Sequence, residues 1–331
     1  MPREISRVIH WGHEAYCPIN IDAIRLESAP NFPLYFRSGP GRNFILYCER
    51  GVAFTLEVRK RLVENKIAHL FIQQGDRQDY SRYLADHLAA ILHDPTMSVQ
   101  EKTAILYDSS QAMVEELFTT PFAHENVSRV KEVVRHTVDL ISDDNFRLED
   151  LLRNISCDYY IYTHSVNVVA YSVALAMQAG YNDHATLREI ANGALLHDVG
   201  KSKLPREMLD KNDELSEPEW EQVRQHPQMG FDMLSQSHAI GEIALDIVLH
   251  HHERLDGSGY PHGLINSKVS PFVRIVAVAD VFDALTTDRF HQPRKTSFQA
   301  LHTMQRRMFP ELDVRLVRSF IEMLGITPRH G

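Results

Sequence analysis

Between residues 32 and 74 the apolar positions come in short runs. "FPLYFRS" and "NFILYCERG" are rich in aromatic and branched residues and are separated by "GPGR", which predicts two strands joined by a turn. "TLEVRKRLVENKI" then sets Leu56, Val58, Leu62, Val63 and Ile67 at roughly helical spacing, and "AHLFIQQ" returns to strand character. From Tyr80 onward the strand rhythm disappears. "YSRYLADHLAAILHD", "VQEKTAILYDSSQAMVEELF" and "VSRVKEVVRHTVDLISDD" each read as an amphipathic helix. "TTPFAHEN", residues 119–126, sets a proline among polar residues and is the best boundary signal. The pattern predicts a mainly α protein. A small α/β domain with a regulatory or interaction role is expected over residues 1–122, and an all-helical bundle over residues 123–331. Irregular stretches are expected around 200–218, 255–271 and 288–297, and no internal repeat is evident.

The helical stripes turn unusual residues inward. His164 shares a stripe with Val168, Tyr171 and Leu175, and His226 stands between "EPEWEQVRQ" and Pro227. His197 and Asp198 end an apolar stretch in "ALLHDVGKSKLP", followed at once by Gly200, which lets the chain turn, and Lys201. In "IGEIALDIVLHHHE" the stripe carries His251 and His252 to the buried side. His250 shares the polar face with Asp246 and Glu253 at i, i+4 and i+7. Asp280 sits inside the apolar "VRIVAVADVFDALTTDR", where a carboxylate is costly unless paired or bound to a cation. A single inward histidine is usually a hydrogen-bonded core residue. Five inward histidines and two buried aspartates on successive helices point instead to a shared metal site.

Seven nitrogen and oxygen ligands exceed the needs of one ion and suit two divalent ions bridged by Asp198 and a water. Without a thiolate the set favours iron or manganese, with zinc, cobalt and nickel left open. A bridged pair lowers the pKa of its shared water and clamps the attacking and leaving oxygens of an in-line displacement, which is the chemistry of phosphate ester hydrolysis. Asp198 and Lys201 are the expected catalytic residues, with Lys201 stabilising the phosphate charge.

Composition supports this picture. The chain has 331 residues, enough for two cores, and 12 of its 19 histidines lie between His164 and His330. A net charge of −9 argues against polymeric nucleic acid or a membrane surface as partner. It leaves room for a small anionic ligand, because metals or a local basic cluster can reverse the field within a cleft. Cys17, Cys48 and Cys157 are far apart and form no CxxC pair, which fits a reducing compartment. With no apolar run of membrane length and no signal-peptide pattern, a cytoplasmic location is expected.

"HDVGK", "HHERLDGSGYP" and "VADVFDALTTDR", in this order, resemble the HD-GYP phosphodiesterases, a branch of the HD metal-dependent hydrolases, over roughly residues 125–325. The resemblance implies hydrolysis of a cyclic dinucleotide. The usual substrate is cyclic di-GMP, opened to linear pGpG and in some members cut on to GMP; other members prefer cyclic GMP-AMP. It implies metal ligation by His164, His197, Asp198, His226, His251, His252 and Asp280, with Lys201 as a phosphate contact. Arg289 stands where the family has an arginine that helps hold the dinucleotide. The Gly259-Tyr260-Pro261 loop is expected beside the site, where family members also touch partners such as diguanylate cyclases.

Two departures matter. Members with a third metal carry a glutamate four residues before the first ligand histidine; here that residue is Tyr160, which favours two metals and cleavage that stops at the linear product. The family's Arg-Pro-Tyr-Lys is here "RFHQPRK", so His291 replaces the tyrosine and Arg294 or Lys295 is left to supply positive charge to the substrate. The competing readings are a dinucleotide receptor or cyclase-binding protein with little turnover, and an enzyme preferring cyclic GMP-AMP. Asp256 reads equally as a partner behind a ligand or as a turn residue. The N-terminal region lacks a receiver-type acidic cluster. A homodimer is compatible with the sequence.

Overall fold

The computed structural model of the chain describes residues 16–38, 43–95, 97–119, 124–143, 146, 161–209, 211, 215–236, 239–287 and 294–325. Contacts divide the chain into two compact units, Met1–Ala112 and Met113–Gly331. The division lies within the helix Val99–Thr119; the boundary expected at 122/123 falls outside the described residues. The protein is mainly α, with a small sheet near its N-terminus.

That sheet has four antiparallel strands in the order β1-β4-β2-β3, with β1 at Tyr16–Asn20, β2 at Leu34–Ser38, β3 at Asn43–Cys48 and β4 at His69–Gln73. β2 and β3 form the expected hairpin, pairing from Ser38 opposite Asn43 to Leu34 opposite Cys48. β1 was not legible in the sequence, because Pro18 sits in its centre. As an edge strand it tolerates a residue that lacks an N–H. Alternation gives one buried face with Cys17, Ile19, Leu70 and Ile72. On the other face Tyr16 stacks on Phe44 with ring centroids 4.2 Å apart. The expected helices follow at Leu56–Glu64, Arg77–Leu92, Val99–Thr119 and His124–Ile141.

In the second unit the helix Ile161–Gln178 packs on both His184–Leu196 and Pro271–Thr286. Glu242–His250 packs on His184–Leu196 and on His226–Ser235. Caps fix where these helices begin: Asp183 accepts from the Thr186 N–H, and Ser270 accepts from the Val273 N–H ahead of Pro271. Two glycines allow close approach. A Cβ on Gly193 would lie 2.8 Å from Ile247 Cβ, and one on Gly200 would lie 1.9 Å from the His226 carbonyl oxygen. Gly200 belongs to a short 3-10 turn, Val199–Lys203, that is pressed onto the His226–Ser235 helix. The helix ends at His250, earlier than the expected Glu253, and the stretch 255–271 is largely irregular, as expected, tied by a bridge between Asp256 and Ile265. Among the described residues no helix is long and apolar enough to cross a membrane.

Candidate metal centre

Five helices and the turns at their ends deliver seven side chains to one buried place. His164 comes from the first turn of its helix, His197, His226 and His251 stand at helix ends, and Asp280 comes from the middle of Pro271–Thr286. Their ligand atoms fall into two groups, Asp198 with His226, His251 and His252, and His164 with His197 and Asp280, and each group could hold a metal ion. Asp198 lies between them. Its Oδ1 is 3.2 Å from His226 Nε2 and 3.9 Å from His251 Nε2; its Oδ2 is 3.5 Å from His197 Nε2 and 3.9 Å from His164 Nε2.

The tautomers follow from what lies behind the rings. His197, His226 and His251 each donate Nδ1–H to the carbonyl three residues earlier, Ala194 at 2.7 Å, Val223 at 2.7 Å and Val248 at 3.0 Å. His164 donates Nδ1–H to the Asp283 carboxylate at 2.7 Å. With Nδ1 protonated, a neutral ring keeps a lone pair on Nε2. These Nε2 atoms face one another in pairs, His164 with His197 at 3.3 Å and His226 with His251 at 3.2 Å. Two lone pairs held as close as those of His226 and His251 repel each other in a dry core unless a cation lies between them, while His164 keeps a proton on Nε2, 3.2 Å from Asp280 Oδ1, that a bound ion would displace. The donor set therefore fits divalent ions of the class that takes imidazole and carboxylate together.

Charge is arranged to match. Burial pushes the Asp198 carboxyl up, but Lys201, His197 and His226 outweigh burial and hold it well below the usual carboxylate range. Asp280 is likewise desolvated, and the hydrogen bond from His164 wins, so it too stays ionised. Burial alone would depress His164, yet Asp280 and Asp283 raise it to about 10. His251 and His252 go the other way: burial and neighbouring imidazoles push both well below the ordinary histidine value, which keeps them neutral.

Lys201 Nζ is 2.6 Å from Asp198 Oδ2 and keeps partial access to solvent. Tyr260 closes one side, with its ring centroid 4.7 Å from that of His252 and 6.5 Å from that of His226. Gly259 is required there, because a Cβ would lie 2.4 Å from both the His252 oxygen and the Arg254 nitrogen. Pro261 follows Tyr260 directly. Asp256 is a turn residue, accepting from the Ser258 N–H at 3.0 Å and its hydroxyl at 2.7 Å. Arg294 is exposed; Tyr160, Arg289 and His291 lie outside the described residues.

One expectation needs correction. Glu253 does not share the polar face with Asp246 and His250. It is 2% exposed, and its carboxylate accepts from the N–H groups of His262 at 2.7 Å and Leu264 at 2.9 Å. The helix ends at His250, so a helical projection no longer applies three residues later. The sequence reading also missed Asp283, which is 1% exposed and holds His164 at one oxygen and the Asn167 side-chain amide, at 2.8 Å, with the other. A second acid three residues after Asp280 in the same apolar helix was the available signal.

Comparison with known proteins places the chain in context. The family model described as an HD domain matches residues 135–316. A cyclic di-GMP phosphodiesterase of Pseudomonas aeruginosa is 35% identical over 241 residues, covering 72% of this chain and 55% of the relative. A 3'3'-cGAMP-specific phosphodiesterase of Vibrio cholerae is 31% identical over 169 residues, covering 51% of this chain and 36% of the relative. The chain thus spans about half the length of the first relative and about a third of the second. A solved HDGYP protein of Bdellovibrio bacteriovorus shares the fold, with a TM-score of 0.66 at 23% identity over 94% of this chain and 99% of that one. The chain belongs to the HD domain family.

Proposed function

We propose that this protein is a metal-dependent phosphodiesterase that hydrolyses cyclic di-GMP to linear pGpG. The observation that carries the proposal is the meeting of two buried imidazole-carboxylate donor groups at Asp198, the carboxylate that touches both. Relatives named as cyclic di-GMP phosphodiesterases supply the substrate class. His226, His251, His252 and Asp198 would hold one divalent ion, and His164, His197 and Asp280, with Asp198 shared, the other; iron or manganese suits this donor set. Such ions supply Lewis-acid activation of a phosphodiester and of the attacking water.

The chain's own residues do the rest. Asp198 stays ionised and spans the two groups. Lys201 holds a cation beside Asp198, at the edge of the site, where it can meet a phosphate oxygen. Neutral His251 and His252 present lone pairs without first losing a proton. Tyr260 walls the site against solvent, and burial together with the charges of Asp198 and Asp280 raises its phenol above the ordinary tyrosine value, so it stays protonated. In the reaction water adds across one phosphodiester: its oxygen bonds to phosphorus, the phosphorus–oxygen ester bond breaks, and the leaving hydroxyl takes a proton. Arg289 and Arg294 are proposed dinucleotide contacts, and the Gly259-Tyr260-Pro261 loop a surface for a signalling partner.

The test is hydrolysis of cyclic di-GMP by the full chain loaded with iron or manganese under reducing conditions. Linear product is expected, and its absence overturns the proposal. His197→Ala and Asp280→Ala should each lower metal content; a core that merely buries histidines predicts no change. The cyclic GMP-AMP relative favours one alternative substrate, and side-by-side rates on the two dinucleotides decide between them.

A further inference from the structure

One imidazole of the run at 250–252 is not used by the centre. His250 ends the helix Glu242–His250, and its Nδ1 lies 2.7 Å from the Asp246 carboxylate one turn earlier. Asp246 is itself hydrogen-bonded by the Ser270 side chain. The other nitrogen of His250, Nε2, faces His262 Nδ1 at 3.2 Å on the exposed side of the molecule. His262 is fixed from behind as well, because its N–H donates to buried Glu253 and the Leu264 N–H donates to the second oxygen of the same carboxylate. Two ring nitrogens are thus presented to one point by two carboxylates, one acting through a side chain and one through the backbone.

We propose that His250 and His262 form a separate surface site for one late divalent transition ion of the Zn2+, Ni2+ or Cu2+ class, with solvent completing its coordination. Two imidazole nitrogens bound to a tetrahedral zinc at about 2.0–2.1 Å each stand about 3.3 Å apart, close to the spacing seen. Imidazole donors select this class over magnesium or calcium. Asp246 stands behind His250 as carboxylates commonly stand behind metal-binding histidines, accepting from Nδ1 and leaving the Nε2 lone pair outward. The competing arrangement is an N–H···N hydrogen bond between two neutral rings, and it predicts no metal.

Occupancy has a consequence for the loop. His262 lies two residues past Tyr260, and His250 directly precedes His251. An ion shared by His250 and His262 fastens the far side of the Tyr260 loop to the helix that carries the centre, as a clasp.

The experiment uses the full chain, dialysed against low micromolar Zn2+ and analysed for total metal. Wild type is expected to hold one more equivalent than the double variant His250→Gln/His262→Gln, and Asp246→Asn should weaken that equivalent about tenfold, the lower end of what losing such a carboxylate costs. His197→Ala, which damages the buried centre, should retain the outer equivalent; this separates failure here from failure of the proposed function. Zinc should slow amide exchange across residues 254–264 in wild type and not in the double variant. Equal zinc counts overturn the site, and an extra equivalent without slowed exchange overturns the clasp. His262 is exposed and His250 half-buried, and the single variant His262→Gln, outside any helix, repeats the count should the double variant fold poorly.

Discussion

Asp283 stands behind His164 as the carbonyl oxygens of residues 194, 223 and 248 stand behind His197, His226 and His251, but it brings a carboxylate. That carboxylate makes His164 a stronger donor than its neighbours and orients it at the same time. Asp283→Asn keeps an acceptor for Nδ1–H and removes the charge. Losing such a partner typically costs about 10–100-fold in metal affinity. The expected result is that a chelator strips one equivalent from the variant at roughly a tenth or less of the concentration wild type needs, read by elemental analysis. Asp283→Ala also removes the hydrogen bond from the Asn167 amide in a dry core, so it should lower the unfolding free energy by about 1–3 kcal/mol as well, read from urea midpoints. Asp283 was hard to see in the sequence because a helical stripe says which side a residue faces and not what it meets. His164 and Asp280 show their burial by apolar neighbours; the pairing of residues 164 and 283 is set by how two helices pack, which no local pattern encodes.

Gly200 shows the same limit at the level of elements. The sequence marks it as a turn glycine, which it is, but the deeper constraint is the approach of its turn to the His226–Ser235 helix. An alanine there would meet backbone atoms, the His226 oxygen at 1.9 Å and the Gly230 nitrogen at 2.6 Å, and neither can step aside by changing rotamer. Gly200→Ala is therefore expected to cost about 1–3 kcal/mol or more and to lower metal content, since the displaced pieces carry Asp198 and His226. Urea unfolding and a metal count check the two halves of that statement. The loop that follows His250 depends on a different device, the buried Glu253 carboxylate with two backbone N–H groups. Glu253→Ala should speed amide exchange across residues 254–264 at least tenfold while the helices keep their protection. The strands β2, β3 and β4 and the long helices were legible because each has a clear period. β1 was hidden by Pro18, and Glu253 was misplaced because the stripe was extended past the end of its helix.

At the scale of the molecule, the net charge of −9 comes with buried acids in both units, and they behave differently. Asp198 and Asp280 have positive or polarised partners and stay ionised. Asp108, in the N-terminal unit, does not have enough: burial raises its carboxyl from 3.8 to about 7, against a smaller opposing effect of Arg77. It shares this environment with Tyr80, whose buried hydroxyl has no hydrogen-bond partner among the described residues. The sign follows from proton counting. Below the unfolded value both states are protonated and Asp108 costs nothing. Between about 4 and about 7 the unfolded chain gives up its proton first, so the folded state binds more protons and stability falls as pH rises. A shift of that size bounds the effect at about 4 kcal/mol at 1.4 kcal/mol per unit, and the residue's partial exposure brings the expected figure nearer about 2 kcal/mol. Asp108→Asn cannot ionise and escapes this loss. The stability difference between variant and wild type should therefore grow from pH 4 to pH 7 and then level off. Amide exchange in the helix Arg77–Leu92 reads it locally. A difference that stays flat across that range would place the Asp108 carboxyl in water.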